Sequence, residues 1–178
     1  MKQTSHKLSL SKALLFECDI QEPMRRLSKR FPQVLNTALQ LAQLSTNIKI
    51  PLISTQHEPP VYGYTATELS QYYDSHKSHL LFRYTKTQLF SMLELPVLYH
   101  MHLYPQRTQC ILYGCLTEVC VKYTCFDLLE RGYQVHLVSD GICSIHQQER
   151  EVAMEQMRDA GAMVTTCESI VNIIKRDQ

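Results

Sequence analysis

Three side chains in this sequence, Asp19, Lys86 and Cys120, are of the types that nucleophilic catalysis needs. All three fall at or just beyond the ends of apolar runs that read as strands. A thiol attacks as its thiolate, so it needs a base to take its proton and gains from a cation that holds the charge. Asp19 is the candidate base, able to return the proton to a departing amine. Lys86 is the candidate for orienting Asp19 and stabilising negative charge, and Cys120 is the candidate nucleophile. Counted from Thr117 as N-cap, Cys120 falls at N3 of a helix. There, unpaired backbone N–H groups and the positive dipole end favour a thiolate. The N–H groups of Leu116 and Cys120 stand at the same turn and are candidates to receive the oxyanion of a tetrahedral intermediate. Each residue alone has an ordinary alternative: a cap for Asp19, a solvated surface residue for Lys86, a small buried hydrophobe for Cys120. Their shared position at strand ends favours chemistry.

Those positions follow from short apolar runs alternating with amphipathic stretches. Ala13 to Cys18 reads as a first strand, ending at Asp19. Ile50 to Thr55 reads as a second, leading into a polar loop with Pro59, Pro60 and Gly63. Leu80 to Phe82 is a third, followed by Arg83-Tyr84-Thr85-Lys86. Thr108 to Tyr113, bounded by Pro105 and Gly114, has the apolar run of a strand buried in a parallel sheet. Val135 to Val138, ending at Asp140-Gly141, and Ala162 to Thr165 complete six. Helices are predicted over about 32–45, where Val34, Leu35, Ala38, Leu41, Ala42 and Leu44 keep near-helical spacing, and over a short stretch around 89–93. Three more run from Glu118 to Arg131, stopped by Gly132, over about 147–160, stopped by Gly161, and over 168–175. Strands alternating with helices imply right-handed crossovers and a single α/β domain over residues 1–178. The expected architecture is a parallel sheet with helices on both faces, after a short polar tail at residues 1–12. Ligands of such sheets bind beyond the carboxyl ends of the strands.

Cys18-Asp19-Ile20-Gln21-Glu22, Lys86-Thr87-Gln88-Leu89-Phe90-Ser91-Met92 and Gly114-Cys115-Leu116-Thr117-Glu118-Val119-Cys120-Val121 resemble, in order and spacing, the three motifs of the isochorismatase-like cysteine hydrolases. The likeness to the isochorismatase domain-containing proteins extends to Asp127-Leu128-Leu129-Glu130-Arg131-Gly132, to Val138-Ser139-Asp140-Gly141, and to the stretch from Met157-Arg158 to Gly161-Ala162. It runs from about Leu14 to about Ile174. The resemblance implies an Asp-Lys-Cys triad at Asp19, Lys86 and Cys120. It implies a Rossmann-like three-layer sandwich whose six-stranded parallel sheet is ordered 3-2-1-4-5-6, with the first and fourth strands adjacent. It further implies a non-proline cis peptide at Cys115–Leu116, presenting the Leu116 N–H to the oxyanion hole. The reaction implied is hydrolysis of an amide or related C–N bond through a thioester, in a protein that forms dimers or larger rings. Gln21, His57, Tyr84 and Thr117 are the candidates for the substrate pocket.

Departures from the pattern narrow the chemistry. Nicotinamidases of this superfamily add a metal site from an aspartate and two histidines after the second strand. Here the segment reads Ser54-Thr55-Gln56-His57-Glu58-Pro59-Pro60, with no carboxylate two residues before His57 and no second histidine closely after, so no metal is expected. His100 and His102 lack a nearby third ligand and read as exposed. Cys110, Cys115, Cys120 and Cys125 recur every five residues, but Cys120 and Cys125 fall about 140° apart around a helix, so these four cannot share one metal. Cys110 and Cys125 read as core, and Cys115 makes a redox pair only if it approaches Cys120. Five glycines, with no G-x-G-x-x-G and no P-loop, leave a nucleotide cofactor without support, and no cofactor is expected. Tyr62, Tyr64, Tyr72 and Tyr73 either line a pocket for a flat substrate or pack against a partner subunit.

Lysine and arginine number 18 against 17 acids, a net charge of +1, which supplies no field to attract nucleic acid or an anionic membrane. No apolar run approaches the roughly 18 residues of a membrane span. Seven cysteines with no export signal read as reduced thiols in the cytosol, although three lysines and no acid in the first 16 residues faintly resemble a mitochondrial leader. The expected function is a cysteine hydrolase of a small amide-like molecule. The alternatives are a binding or scaffold protein of the same fold with weak turnover, or a thiol redox sensor.

Overall fold

Strands β1 (Ala13–Cys18), β2 (Leu52–His57), β3 (Leu81–Lys86), β4 (Gln109–Cys115), β5 (Gln134–Cys143) and β6 (Met163–Thr165) form the frame of the computed structural model, which describes residues 7–88 and 90–177. They pair in parallel throughout, in the order β3-β2-β1-β4-β5-β6. Every residue of β1 and β4 is buried, as the centre of a sheet covered on both faces requires. The fold is a single α/β domain with the expected sheet order.

Among the described residues eight α-helices complete it: α1 (Met24–Leu27), α2 (Phe31–Ile48), α3 (Pro59–Tyr62), α4 (Thr67–Ser75), α5 (Leu95–His102), α6 (Lys122–Glu130), α7 (Gln147–Asp159) and α8 (Cys167–Asp177). The period-2 alternation of β1 divides the core between the two faces. Leu15 packs with Val34, Leu41 and Leu69 beneath α2 and α4, where α8 adds Ile170. Leu14, Phe16 and Cys18 pack on the other side with Val97, Cys125 and Met157 of α5, α6 and α7.

Several local expectations are corrected. β2 and β3 run on to His57 and Lys86, because parallel partners satisfy the backbone whatever the side chains are, with His57 opposite Lys86. The helix expected around 89–93 does not form among the described residues, and Leu89 itself lies outside them. The chain instead makes a loop, in which the Thr87 and Gln88 N–H groups donate to Glu94 Oε1 at 3.0 and 2.8 Å. The helix starts later, at Leu95, where Pro96 fits a first turn that has no use for its missing N–H. The helix after β4 opens with a π-helical turn, Thr117–Val121, whose N-cap is Leu116 rather than Thr117, and Val121 N–H donates to the Leu116 carbonyl at 3.1 Å. Of the expected polar tail, residues 1–6 lie outside the described residues, Leu8 is buried, and Leu10–Lys12 forms a 3₁₀ turn. Among the described residues, no helix is long and apolar enough to cross a membrane.

Candidate active site

β1 and β4 lie side by side at the point where the strand order reverses, with Cys18 opposite Gly114. Their approach is close. A Cβ on Gly114, whose φ is +132°, would stand 2.0 Å from the Cys18 carbonyl oxygen. Only glycine fits there, so the turn carrying Cys120 is drawn against the end of β1. The Cys115–Leu116 peptide that follows is cis.

Asp19 leaves β1 in the left-handed region, φ +46°, which aspartate tolerates better than most residues. Its N–H donates to the Thr55 carbonyl at 3.1 Å, and its Oδ1 accepts the Thr55 hydroxyl at 2.8 Å. Lys86, at the end of β3, is 1% exposed. Its Nζ sits 2.8 Å from Asp19 Oδ2, 3.2 Å from Cys120 Sγ and 2.8 Å from the Phe90 carbonyl oxygen, one partner for each proton. Cys120, in the π turn, is 9% exposed. The sulfur of Cys18, a carboxylate oxygen of Asp19 and the Cys120 sulfur all lie within 4.8 Å of one another.

This clustering separates the thiols. The hydrogen bond from Cys18 holds Cys120 below its ordinary value; burial and the Asp19 carboxylate oppose this, and the Lys86 ammonium adds to it. Burial pushes Cys18 well up, reinforced by its bond to Cys120, so of the two thiols Cys120 is the more readily ionised. Burial works against the charge on Lys86, yet Cys18, Asp19 and Cys120 around it raise its value. Away from this cluster, burial pushes Cys125 up to about 12 and Cys110 well up, and both are core residues.

Asp19 and Cys120 line a cavity of about 380 Å³ together with Gln21, His57, Cys115 and Leu116. Gln21 spends its amide on the wall: Oε1 accepts the His57 N–H at 2.8 Å and Nε2 donates to the His57 carbonyl at 3.0 Å. The His57 ring stacks on Tyr62, with centroids 4.7 Å apart. Its Nδ1 is buried without a hydrogen-bond partner among the described residues. Two of the pocket candidates do not reach the cavity. Tyr84 bonds through its hydroxyl to His100 and lines a different cleft. Thr117 is fully buried beneath the turn and makes no side-chain cap. Of the four tyrosines, Tyr62 lines the cavity, Tyr64 is exposed, and Tyr73 donates to buried Glu17. Cys115 has Cys143 as its sulfur partner, at 2.9 Å.

The sequence motifs assign the Cys18 thiol no role. The signal for it was parity, since Cys18 shares the face of Leu14 and Phe16 and so faces the side that carries α6.

Residues 13–169 match the isochorismatase domain. The chain belongs to the isochorismatase family. Isochorismatase domain-containing protein 2 of Xenopus laevis is 34% identical over 165 residues, covering 93% of this chain and 77% of that one. The structure described as MAR1 ribonuclease from Caenorhabditis elegans superposes with a TM-score of 0.84 at 32% identity, covering 93% of this chain and 82% of that one. The nicotinamidase of Staphylococcus aureus shares the fold, with a TM-score of 0.79 at 16% identity over 88% of this chain and 99% of that one. This isochorismatase-family protein thus has the fold of that family, with Asp19 and Cys120 close together at the switch point.

Proposed function

We propose that this isochorismatase-family protein hydrolyses a small amide-like substrate through a thioester on Cys120. The observation that carries the reading is the buried Lys86 ammonium, 2.8 Å from Asp19 and 3.2 Å from a thiol held below its ordinary value. The Cys120 sulfur, its proton passed to Asp19, attacks the carbonyl carbon. Charge gathers on the carbonyl oxygen, which the N–H groups of Leu116 and Cys120 receive. When the tetrahedral adduct collapses, the C–N bond breaks and the amine leaves with the proton that Asp19 held. Asp19 then draws a proton from water, whose oxygen attacks the thioester. The acid departs and the thiolate is restored, with Asp19 returning its proton to the Cys18–Cys120 pair or to solvent.

Ammonia release from small primary amides, carbamoyl compounds and ureides, with Cys120→Ala as the blank, measures the activity. Iodoacetamide labelling across pH tests the nucleophile. Preferential modification of Cys120 below about pH 7.5 is expected, and a Cys120 that labels like a free thiol with a pKa near 8.5 sinks the proposal. Cleavage of RNA, suggested by the description of the nematode relative, has less to support it. Among the described residues, neither lysine nor arginine lines the cavity, and phosphodiester binding calls for both charge and donors.

A further inference from the structure

Apart from Asp19, the thiols, Gln21 and His57, the cavity beside Cys120 is lined by hydrocarbon, with Lys86 held behind Asp19 and Cys120. Leu27 of α1, Val61 and Tyr62 of α3, and Leu116, Val119 and Ile145 line it. Leu27, Val61, Tyr62 and Ile145 are also among the large apolar residues exposed at the surface, so the rim is as apolar as the interior. Polar side chains in the wall are already engaged: Gln21 is bonded to backbone, and Asp19 is paired with Lys86. His57 alone keeps a buried, unbonded ring nitrogen, on a ring stacked with Tyr62. No lysine, arginine or glutamate lines the cavity among the described residues. A substrate carboxylate would meet the Asp19 carboxylate with no cation of its own, and a substrate ammonium would find no carboxylate beyond the one that Lys86 already holds. Either would lose its hydration without compensation.

We infer that the group attached to the reacting carbon is neutral and apolar, with the bulk of a single aromatic ring or a branched alkyl chain, and that the His57–Tyr62 stack and the Leu116–Val119–Ile145 wall select it. The cavity of about 380 Å³ is at the small end of ligand pockets, which suits one such group beside the amide. The occupant is a small molecule because the same walls contain the nucleophile. The inference rests on Cys120 being that nucleophile, so its test is built on the thiol and not on an unidentified substrate.

Three chloroacetyl reagents read the cavity directly: chloroacetate, 2-chloroacetamide and N-benzyl-2-chloroacetamide. In each, the Cys120 sulfur forms a bond to the methylene carbon and chloride leaves with its electron pair. Each rate is divided by that reagent's rate with free glutathione. The benzyl reagent is expected to label Cys120 roughly tenfold or more faster than 2-chloroacetamide, from burial of its ring, and chloroacetate slower than both. Val61→Asp and Ile145→Asp, at rim positions 70% and 43% exposed and so tolerant of a charge, should each shrink the benzyl advantage to roughly threefold or less. His57→Phe, which keeps an aromatic ring against Tyr62, should preserve it. Equal normalised rates for the benzyl and small reagents, or chloroacetate reacting fastest, would overturn the inference while leaving the nucleophile intact. An advantage that disappears as protein concentration rises would assign the rim to a second copy of the chain and also overturn it. Rates matching glutathione for all three reagents would instead remove the nucleophile itself, and the inference with it.

Discussion

With its three protons committed to Asp19, Cys120 and the Phe90 carbonyl, Lys86 keeps its charge at a depth where burial alone would strip it. Lys86 and Asp19 have opposite effects on the thiol. Lys86 lowers the Cys120 value and Asp19 raises it, so the two residues separate by experiment. Lys86→Met should move the pH dependence of Cys120 labelling upward. It should also lower stability by about 3–5 kcal/mol in urea unfolding, because the Asp19 carboxylate is left buried and unpaired. Asp19→Asn removes the charge that opposes the thiolate. Labelling should persist to equal or lower pH, whereas ammonia release should fall by about 10²–10⁴-fold, as loss of a general base predicts. If Asp19→Asn abolished labelling as fully as turnover, Asp19 would be holding the site together rather than moving a proton.

At the scale of elements, the site depends on how tightly β4 meets β1. Gly114→Ala places a methyl group against the Cys18 carbonyl at a φ of +132°, combining a backbone clash with strain. A loss of at least about 3 kcal/mol is expected, read as the unfolding midpoint, together with a slowed Cys120 reaction because the turn is displaced. A second junction lies on the opposite face of β1. Glu17 is wholly buried and accepts hydrogen bonds from Ser54 of β2 at 2.8 Å and from Tyr73 of α4 at 2.6 Å. Burial raises its value above the ordinary 4.5, although those hydrogen bonds oppose the shift. The folded protein therefore holds a proton that the unfolded chain releases, and stability should fall as pH rises from about 4.5 through the raised folded value. Glu17→Gln should remove that slope and gain most, relative to the parent, at pH 7–8. Parallel stability curves for the two proteins would show that Glu17 ionises in the fold without cost.

The whole molecule contributes the sheet order. β1 and β4, far apart in sequence, become neighbours at the switch point, and residues beyond their carboxyl ends share one cavity. The outer surface bears a second apolar feature, away from that cavity. Leu95 and Tyr99 of α5 are 82% and 64% exposed at i, i+4 spacing, with Leu103 exposed one turn on. The homo-oligomer that the family resemblance implies is expected to bury this stripe. Light scattering should then give a multiple of the 20.7 kDa chain mass, reduced to a single chain by Leu95→Glu with Tyr99→Glu. A single-chain mass for the unaltered protein would rule the contact out.

Much of this was legible in the residues themselves. Apolar runs of strand length with amphipathic stretches between them specify six strands and the long helices, because periodicity is a local property of the chain. The three motifs, with Asp19, Lys86 and Cys120 at their key positions, are equally local. The sequence could not disclose which side chains meet across the fold. The Cys18 thiol beside Cys120, the Cys115–Cys143 contact, and the turning of Tyr84 toward His100 each join residues brought together by packing alone. The loop after Lys86 ran differently from its apolar pattern because Glu94 collects its N–H groups and Lys86 takes the Phe90 carbonyl. The cavity wall is assembled from α1, α3 and the turns after β4 and β5, whose relative placement follows from the sheet order. The sequence by itself determined the candidate nucleophile and the class of chemistry proposed for it. Only the tertiary structure decided what surrounds that nucleophile, because the surroundings are set by contacts between segments that no local pattern links.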